Sequence, residues 1–195
     1  GISFNDDRTY KKYGKKRPKA AWRRDNVTRC VKAIHKEIKS IRPWVKLSCS
    51  PIGKYADLPT QSSYGWNARD AVHQDVQAWL RDGLMDLIFP MMYFDGKHFY
   101  PFAVNWKENS YGKPVVPGLG IYFLSEKEKD WPLNTIRRQL NFLRQQDLGG
   151  QAYFRSKFLT DNTKGIYDFV AHHFYKQQAL LPAMVWADKS IPASP

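Results

Sequence analysis

Five short apolar runs, each followed by a stretch of helical character, constrain the fold of this chain more than any other feature. The runs are Gly1–Phe4, Val45–Cys49, Leu87–Tyr93, Val115–Ile121 and Gln151–Phe154. Strands that alternate with helices form βα units, and such units build a parallel sheet. The sequence therefore predicts an α/β fold whose chemistry lies at the carboxyl ends of the strands.

Apolar residues spaced three and four apart mark the helices between these runs. The spacing predicts helices over Trp22–Ile41, Trp66–Arg81, Phe102–Ser110, Pro132–Gln146 and Thr163–His173. Cys30 lies on the apolar stripe of the first helix, and we expect both Cys30 and Cys49 to be buried thiols. Pro90 falls inside the third run, where its missing N–H predicts a local distortion of the strand.

The connections between these elements differ at the two ends of the strands. The links that lead into strands, such as Asp82–Asp86 and Asp147–Gly150, are short, whereas the links that leave strands are long, aromatic and polar. This asymmetry is typical of an α/β barrel with its site on the carboxyl face.

The charge of the chain is strongly positive and unevenly distributed. The formal net charge is +13, and residues 1–46 hold 15 Lys and Arg against 4 Asp and Glu, while residues 47–195 hold 16 against 14. Gly14 and Pro18 predict that Arg8–Lys19 is a loop, which is either simply solvated or binds an anionic polymer. Because the excess is confined to one end of the chain, we do not expect nucleic acid as the partner.

The composition limits the class of protein further. The 43% of apolar and 15% of aromatic residues are typical of a packed globule, and the absence of a long apolar run predicts no membrane span. Two cysteines are too few for a disulfide framework or a zinc site. Since the chain has no phosphate-cradling glycine loop and no dinucleotide fingerprint, we expect neither a cofactor nor a metal.

Two neighbouring carboxylates follow the first apolar run. Asp6 and Asp7 stand at a predicted strand end, where they are candidate catalytic residues acting as acid, base or nucleophile. The alternative is that they only start a helix or shape a turn, which is a common role of aspartate at such positions.

Candidate substrate-binding residues follow the other runs. Small, polar Ser50 shares strand parity with Ser48 and leaves room for a ligand, and Tyr93 follows the third run. Arg155 suits a polar or anionic group, unless it pairs with a loop carboxylate. Trp66 and Tyr122 are candidates as well, because aromatic rings with polar edges suit sugar rings. The candidate substrate-binding residues are therefore Ser50, Trp66, Tyr93, Tyr122 and Arg155.

Four stretches in this order resemble the glycosyl hydrolase-like 10 family of bacterial proteins. They read WRRDNVTRCVKAIHKEIKSIRPWVKLSCSPIGKY, WLRDGLMDLIFPMMYF, VPGLGIYFL and GQAYFRSKFLTDN, and the likeness covers Gly1–Pro182. The resemblance implies a (β/α)8 TIM barrel of which this chain is a part, carrying strands four to eight with their helices. It also implies an exported or envelope-associated protein, and we expect residues 183–195 to be a linker that leaves the barrel.

The resemblance carries over to the site residue by residue. In this family the fourth strand ends in a segment like Gly-Ile-His-Phe-Asp-Asp, where this chain has Gly1-Ile2-Ser3-Phe4-Asn5-Asp6-Asp7, so that Asp6 is the nearest match to the catalytic carboxylate. Ser50 and Tyr93 match the family at the next strand ends. The implied activity is hydrolysis of O-glycosidic bonds in a polysaccharide, and the alternative is a non-catalytic module that recognises an anionic glycan.

Overall fold

The computed structural model describes residues 4–61, 64–181 and 183–186 of the chain. Its elements alternate between helix and strand, as predicted. In chain order they are α1 Asp7–Tyr13, α2 Lys19–Ile41, β1 Ser48–Cys49, α3 Val76–Arg81, β2 Leu87–Ile88, β3 Met91–Met92, α4 Tyr100–Glu108, β4 Gly118–Leu119, α5 Leu133–Gln145, β5 Ala152–Tyr153, α6 Ser156–Thr160 and α7 Ile166–Asp168. Short 3₁₀ turns cover Gly96–His98, Ile121–Leu124 and Thr163–Gly165, and a π-helical turn covers Phe169–Phe174.

The strands are parallel and lie side by side in chain order. β1 pairs with β2, and β3, β4 and β5 pair in sequence. Parallel bridges between Ile52 and Met91 and between Ile88 and Val115 join the two groups into one row. The α/β class is confirmed. Among the described residues the row does not close into a barrel, and of the predicted first strand only Phe4 lies within them.

Pro90 divides the third apolar run into β2 and β3, as its missing N–H predicts. On one side the amides of Phe89 and Met91 still donate to Cys49 and Pro51, each at 2.9 Å. On the other side Ile88 donates to Pro114 at 3.1 Å, but Pro90 has no N–H for the next bond of that ladder. The Pro90 carbonyl still accepts from Gly118 at 2.8 Å, so the strand is interrupted without losing its neighbours.

Two of the predicted local structures are wrong. The predicted loop Arg8–Lys19 contains α1, whose last turn closes with a bond from Gly14 to the carbonyl of Tyr10. The predicted helix Trp66–Arg81 is reduced to α3, because side chains compete with the helix over residues 66–75. The Asn67 carboxamide accepts the amide of Asp70 at 2.7 Å, and His73 adopts a φ of 60°.

The apolar stripe of α2 is only partly covered, which corrects the predicted burial. Val27 and Val31 pack against the core, but Ile34 and Ile41 are 46% and 57% exposed. Cys30 is exposed as well, and Cys49 is partly buried; both are free thiols.

The core lies between the sheet and the helices that follow β1 to β5. The predicted inner face of α5 is confirmed, since Ile136, Leu140 and Leu143 are buried. Trp106 of α4 is fully buried and donates from Nε1 to the Gly53 carbonyl at 2.7 Å. A Cβ on Gly53 would lie 2.4 Å from the Met91 carbonyl oxygen, so only glycine permits this approach of the chain after β1 to β3. None of the described helices is long and apolar enough to cross a membrane.

The carboxylate of Asp86 joins four parts of the fold at the amino ends of the strands. It is 5% exposed and accepts from the Leu47 amide at 2.8 Å, from Lys39 Nζ at 3.1 Å and from Trp186 Nε1 at 3.0 Å. Burial by itself raises the pKa of Asp86, but these hydrogen bonds outweigh it and hold the pKa below its ordinary value. Trp186 lies in the predicted linker, of which residues 183–186 are described and residues 187–195 lie outside the described residues.

We expect Asp86→Asn to lower the free energy of unfolding by about 2–3 kcal/mol, because an amide in place of the carboxylate turns an N–H₂ group toward one of the three donors. Urea denaturation of the full chain measures this loss. The matched control is Asp82→Asn, which changes an exposed carboxylate close by in the chain. An equal effect of both substitutions would contradict the role given to Asp86.

Candidate functional site

The residues that follow the parallel strands meet at one edge of the sheet. Since the strands run in the same direction, the segments after β1, β3, β4 and β5 all leave from the carboxyl edge. Ser50, Tyr93, Tyr122 and Arg155 stand in these segments. This is the edge at which the sequence predicts the site.

Three rings from three strand ends form an aromatic cluster, defined by Tyr93, Tyr122 and Phe154. Tyr93 stacks on Phe154 with ring centroids 5.2 Å apart, and Tyr122 meets Tyr93 and Phe154 edge-on at 5.9 and 5.8 Å. The Tyr122 amide donates to the Phe154 carbonyl at 3.3 Å, which fixes the two strand ends together. The cluster thus brings together the predicted residues Tyr93 and Tyr122 and adds Phe154, which the sequence analysis missed.

Glycines in β4 and directly after it make room for this cluster. A Cβ on Gly120 would lie 3.2 Å from Cβ of Tyr93, and one on Gly118 would lie 3.4 Å from its ring. Burial raises the pKa of both Tyr93 and Tyr122, so both hydroxyls keep their protons at neutral pH. Phe154 remains exposed. The cluster therefore offers an apolar ring to solvent and phenol groups that can donate hydrogen bonds.

Arg155 lies directly after the cluster and is exposed. Its guanidinium lies 5.7 Å from the ring of Phe158. Arg155 takes part in no ion pair among the residues that the structure describes, so the alternative of a structural pair with a loop carboxylate gains no support there. The guanidinium is available for a ligand.

The connection after β1 supplies further exposed groups. Ser48 and Ser50 are exposed while Leu47 and Cys49 are partly buried, which confirms the predicted parity. Trp66 is 69% exposed, and neighbouring Tyr64, which the sequence analysis missed, is 82% exposed.

Contacts inside the fold hold this connection in place. The Tyr64 ring lies 4.9 Å from that of His98, in the turn after β3. Lys54 is fully buried and donates from Nζ to the Tyr64 carbonyl at 2.6 Å, with Asp57 at 3.6 Å. A buried ammonium group thus fixes the backbone that presents Tyr64 and Trp66.

Asp6 and Asp7 share Lys19 as a cationic partner, and Asp6 also binds Arg23. Arg23 of α2 donates to both oxygens of Asp6, at 2.7 and 2.6 Å. Lys19 Nζ lies 2.7 Å from Asp6 and 2.5 Å from Asp7, so the two carboxylates lie close together. Asp6 is 8% exposed, whereas the side chain of Asp7 is open to solvent.

The cations decide what chemistry Asp6 can perform. The hydrogen bonds from Arg23 and then from Lys19 hold the pKa of Asp6 far below its usual range. Its carboxylate therefore stays ionised at neutral pH and cannot act as a proton donor. It can act as a fixed negative charge or as a nucleophile, while Asp7 is exposed and can be reached by a substrate, as a proton-transfer group must be.

A histidine adjoins this carboxylate pair. Nδ1 of His73 is buried without a hydrogen-bond partner among the described residues. Burial, followed by the charges of Arg23 and Arg24, lowers the pKa of His73, so that its ring is neutral at physiological pH. Arg24 also lies 3.7 Å from Asp70, which links α2 to the connection after β1. The carboxylate pair is thereby tied to the connection that carries Trp66.

Two further features bear on ligand binding. The described residues contain no group of three or more His, Cys, Asp or Glu side chains arranged to hold a metal ion. A cavity of about 1350 Å³ lies at the amino edge, lined by residues that include Lys113, Gln151 and Leu180. It lies away from the strand ends that carry the candidate residues, so its size alone does not make it the site.

Comparison with known proteins shows that the chain matches one protein family and is similar to several named proteins. The family described as Glycosyl hydrolase-like 10 matches residues 1–123. The chain is 32% identical to glycosyl hydrolase YngK of Bacillus subtilis over an alignment 212 positions long, which covers 100% of the chain and 41% of that protein. It is 29% identical to glycosyl hydrolase DigH of Escherichia coli over 179 residues, which cover 82% of the chain and 40% of that protein. The chain thus spans about two fifths of the length of these relatives.

The ion pairs of Asp6 predict a pH-dependent stability. A lowered carboxyl pKa stabilises the fold above the ordinary carboxyl pKa, and this contribution is lost as the pH falls through the lowered value. We therefore expect Asp6→Asn to unfold at a lower temperature than the wild type at pH 7, and the difference to shrink below about pH 4. Thermal unfolding followed by circular dichroism measures both, with Asp161→Asn, in an exposed helical ion pair, as a control of small effect. A difference that does not change with pH would contradict this account.

Proposed function

Because the chain belongs to the glycosyl hydrolase-like 10 family, we propose that it supplies part of the active site of an enzyme that hydrolyses O-glycosidic bonds of a polysaccharide. The observation that carries the proposal is the carboxylate pair Asp6 and Asp7, held by Lys19 and Arg23. Glycoside hydrolysis needs two carboxyl groups in different protonation roles. Asp6 is buried between Arg23 and Lys19, whereas Asp7 is exposed beside Lys19, and this difference in surroundings supports different roles for the two carboxyl groups.

We propose further that the chain carries strands four to eight of a TIM barrel, in which β1, β2 together with β3, β4 and β5 are strands five to eight. Parallel strands that lie side by side in chain order support this assignment, as do the helices α3, α4 and α5, which connect neighbouring strands when β2 and β3 are taken as one strand interrupted at Pro90. The position of the candidate residues at the carboxyl edge is also that of TIM-barrel active sites. In this proposal, as the family resemblance implies, the protein is exported or associated with the cell envelope.

The two carboxylates take different roles in the proposed reaction. Asp7 protonates the glycosidic oxygen as the bond from that oxygen to the anomeric carbon breaks, and then takes a proton from the water that attacks that carbon. Asp6 stays ionised and stabilises the positive charge that develops on the sugar ring, either through space or as a nucleophile. Both roles use the surroundings that the structure gives the two carboxylates, because Arg23 keeps Asp6 charged while Asp7 faces solvent beside Lys19.

The other predicted residues hold the sugar chain. Trp66 and Tyr122 offer ring faces or edges for stacking, Tyr93 donates a hydrogen bond, and Arg155 positions a polar group of the sugar. Ser50 directly follows β1, where its small side chain leaves space for the sugar and its hydroxyl can form a hydrogen bond. The support for these roles is that the four strand-end residues share the carboxyl edge and that Trp66 and Arg155 are exposed.

A non-catalytic carbohydrate-binding module is the second candidate. Both oxygens of Asp6 are occupied by Arg23 and Lys19, which is what a structural ion pair requires. Under this alternative the aromatic and basic groups hold an anionic glycan without cleaving it. The two candidates differ in whether new reducing ends appear.

We expect Asp7→Asn in the full-length protein to lower the rate of polysaccharide hydrolysis by at least about 100-fold, because the amide cannot transfer the proton. Release of reducing ends measures the rate, and thermal unfolding checks that the variant is folded. Asp82→Asn, distant in the chain from the site, is the control and should retain the wild-type rate. A folded Asp7→Asn variant with full activity would exclude Asp7 as the proton donor, and a wild type that binds glycan without releasing reducing ends would favour the binding module.

We expect Trp66→Ala to raise KM for the polysaccharide by about 3- to 10-fold with little change in kcat, since a stacking platform contributes similarly to the ground state and the transition state. Steady-state kinetics separate the two parameters. Tyr111→Ala, an exposed aromatic residue in the connection that leads into β4, is the matched control. A fall in kcat with unchanged KM would show that Trp66 does not act as a binding platform.

A further inference from the structure

Five cations on α1 and the turn after it have no acidic partner. We name them the basic cluster: Arg8, Lys11, Lys12, Lys15 and Lys16, all exposed. None of them takes part in an ion pair among the residues that the structure describes. The neighbouring cations Arg17, Lys19, Arg23 and Arg24 all pair with carboxylates. The fold therefore neutralises the cations that hold α1 against α2 and leaves the outer ones free.

The turn that carries two of these lysines is held in a fixed shape. Lys15 and Lys16 both adopt a positive φ, of 50° and 61°, which lysine rarely does. The Tyr10 hydroxyl donates to the Arg17 carbonyl at 2.5 Å, and a Cβ on Gly14 would lie 2.4 Å from the Tyr10 ring. The tyrosine thus closes the turn, and the two lysines project from an ordered segment.

A groove next to the turn combines cations with aromatic rings. Its volume is about 830 Å³, and its walls include the cations Lys15, Arg17 and Arg29, the exposed ring of Tyr13 and the buried Trp22. Asp25 lies in the same wall and pairs with Arg17, so Lys15 and Arg29 are the wall cations without an acidic partner among the described residues. Tyr13 is half exposed, and Lys12 Nζ lies 5.0 Å from its ring. Positive charge beside ring faces suits a polymer whose units are both anionic and partly apolar, as sugar acids are.

The basic cluster adjoins the proposed catalytic residues. Asp7 is the first residue of α1, and the seven residues of the helix span about 10 Å. A polymer held at Asp7 therefore needs to extend only a short distance to reach Lys11 and the lysines of the turn.

We propose that the basic cluster binds an acidic polysaccharide, one that carries carboxylate groups along its chain, and that it makes this polymer class the preferred substrate. The substrate role rests on the proposed function. Nucleic acid fits less well, because the cluster is confined to α1 and its turn, while residues 47–195 carry 16 basic against 14 acidic side chains. Four of the five cations are lysines, which act as point charges and lack the planar fork that reads base edges, so the cluster is not built for sequence-specific recognition of nucleic acid.

The test compares equilibrium binding of three immobilised polymers to the full chain: polygalacturonate, neutral dextran and duplex DNA. The wild type is expected to bind polygalacturonate most tightly, with an affinity that falls steeply as salt is added. The combined variant Lys11→Gln, Lys15→Gln and Lys16→Gln should bind it about tenfold more weakly at low salt. The control variant Lys32→Gln, Lys36→Gln and Lys176→Gln removes the same charge from exposed lysines elsewhere and should bind like the wild type.

Tighter binding to DNA than to polygalacturonate, an equal loss in the control variant, or no loss in the basic-cluster variant would each overturn the proposal. Circular dichroism confirms that both variants are folded before they are compared. Because binding is measured without turnover, it is independent of hydrolysis. If the wild-type protein binds polygalacturonate through the basic cluster but releases no reducing ends from it, the proposed hydrolysis is refuted and the proposed binding surface is retained.

Discussion

The buried carboxylate of Asp86 is the interaction on which the arrangement of the first strands depends. A parallel strand pair has no hairpin to set its register, so something else must fix where the strands start relative to each other. Asp86 does this by accepting the Leu47 amide at the start of the β1 segment, while Lys39 brings the end of α2 to the same point. With the amino ends fixed, the register places the opposite ends of the strands, and with them the candidate residues, at a common edge.

The two edges of the sheet use charge in different ways. At the amino edge the charges of Asp86 and Lys39 neutralise each other within the fold and serve stability. At the carboxyl side Asp6 is paired in the same manner, but Asp7 and the basic cluster face solvent. The net positive charge of the chain is therefore concentrated beside the proposed catalytic carboxylates. We propose that this arrangement attracts anionic polymers to the place where the reaction is proposed to occur.

The sequence predicted the parts of the fold in which one local pattern had no competitor. The interruption at Pro90 and the buried face of α5 follow from a missing N–H and from helical spacing, and both are confirmed. The meeting of Tyr93 and Tyr122 follows from parallel strands that end at one edge. Phe154 was missed as a cluster member, although its position at the end of an apolar run was the available signal.

The failures have a common physical cause, which is that local patterns do not record their tertiary partners. Residues 66–75 have helical spacing, but the Asn67 side chain and the left-handed His73 take them out of the helix. Cys30 lies on an apolar stripe that the described residues cover only in part. The pairing of Asp6 with Arg23 joins residues 17 positions apart, and no spacing rule predicts such a contact. This contact holds the pKa of Asp6 far below its usual range, so that its carboxylate stays ionised.

The central claim is that this carboxyl edge cleaves glycosidic bonds by hydrolysis, and the origin of the oxygen in the product tests it most directly. The full-length protein is incubated with polysaccharide in water enriched in heavy oxygen, and the products are analysed by mass spectrometry. The account predicts one heavy oxygen at the anomeric carbon of each new reducing end. Products without the heavy isotope, or unsaturated sugars formed by elimination, would contradict it.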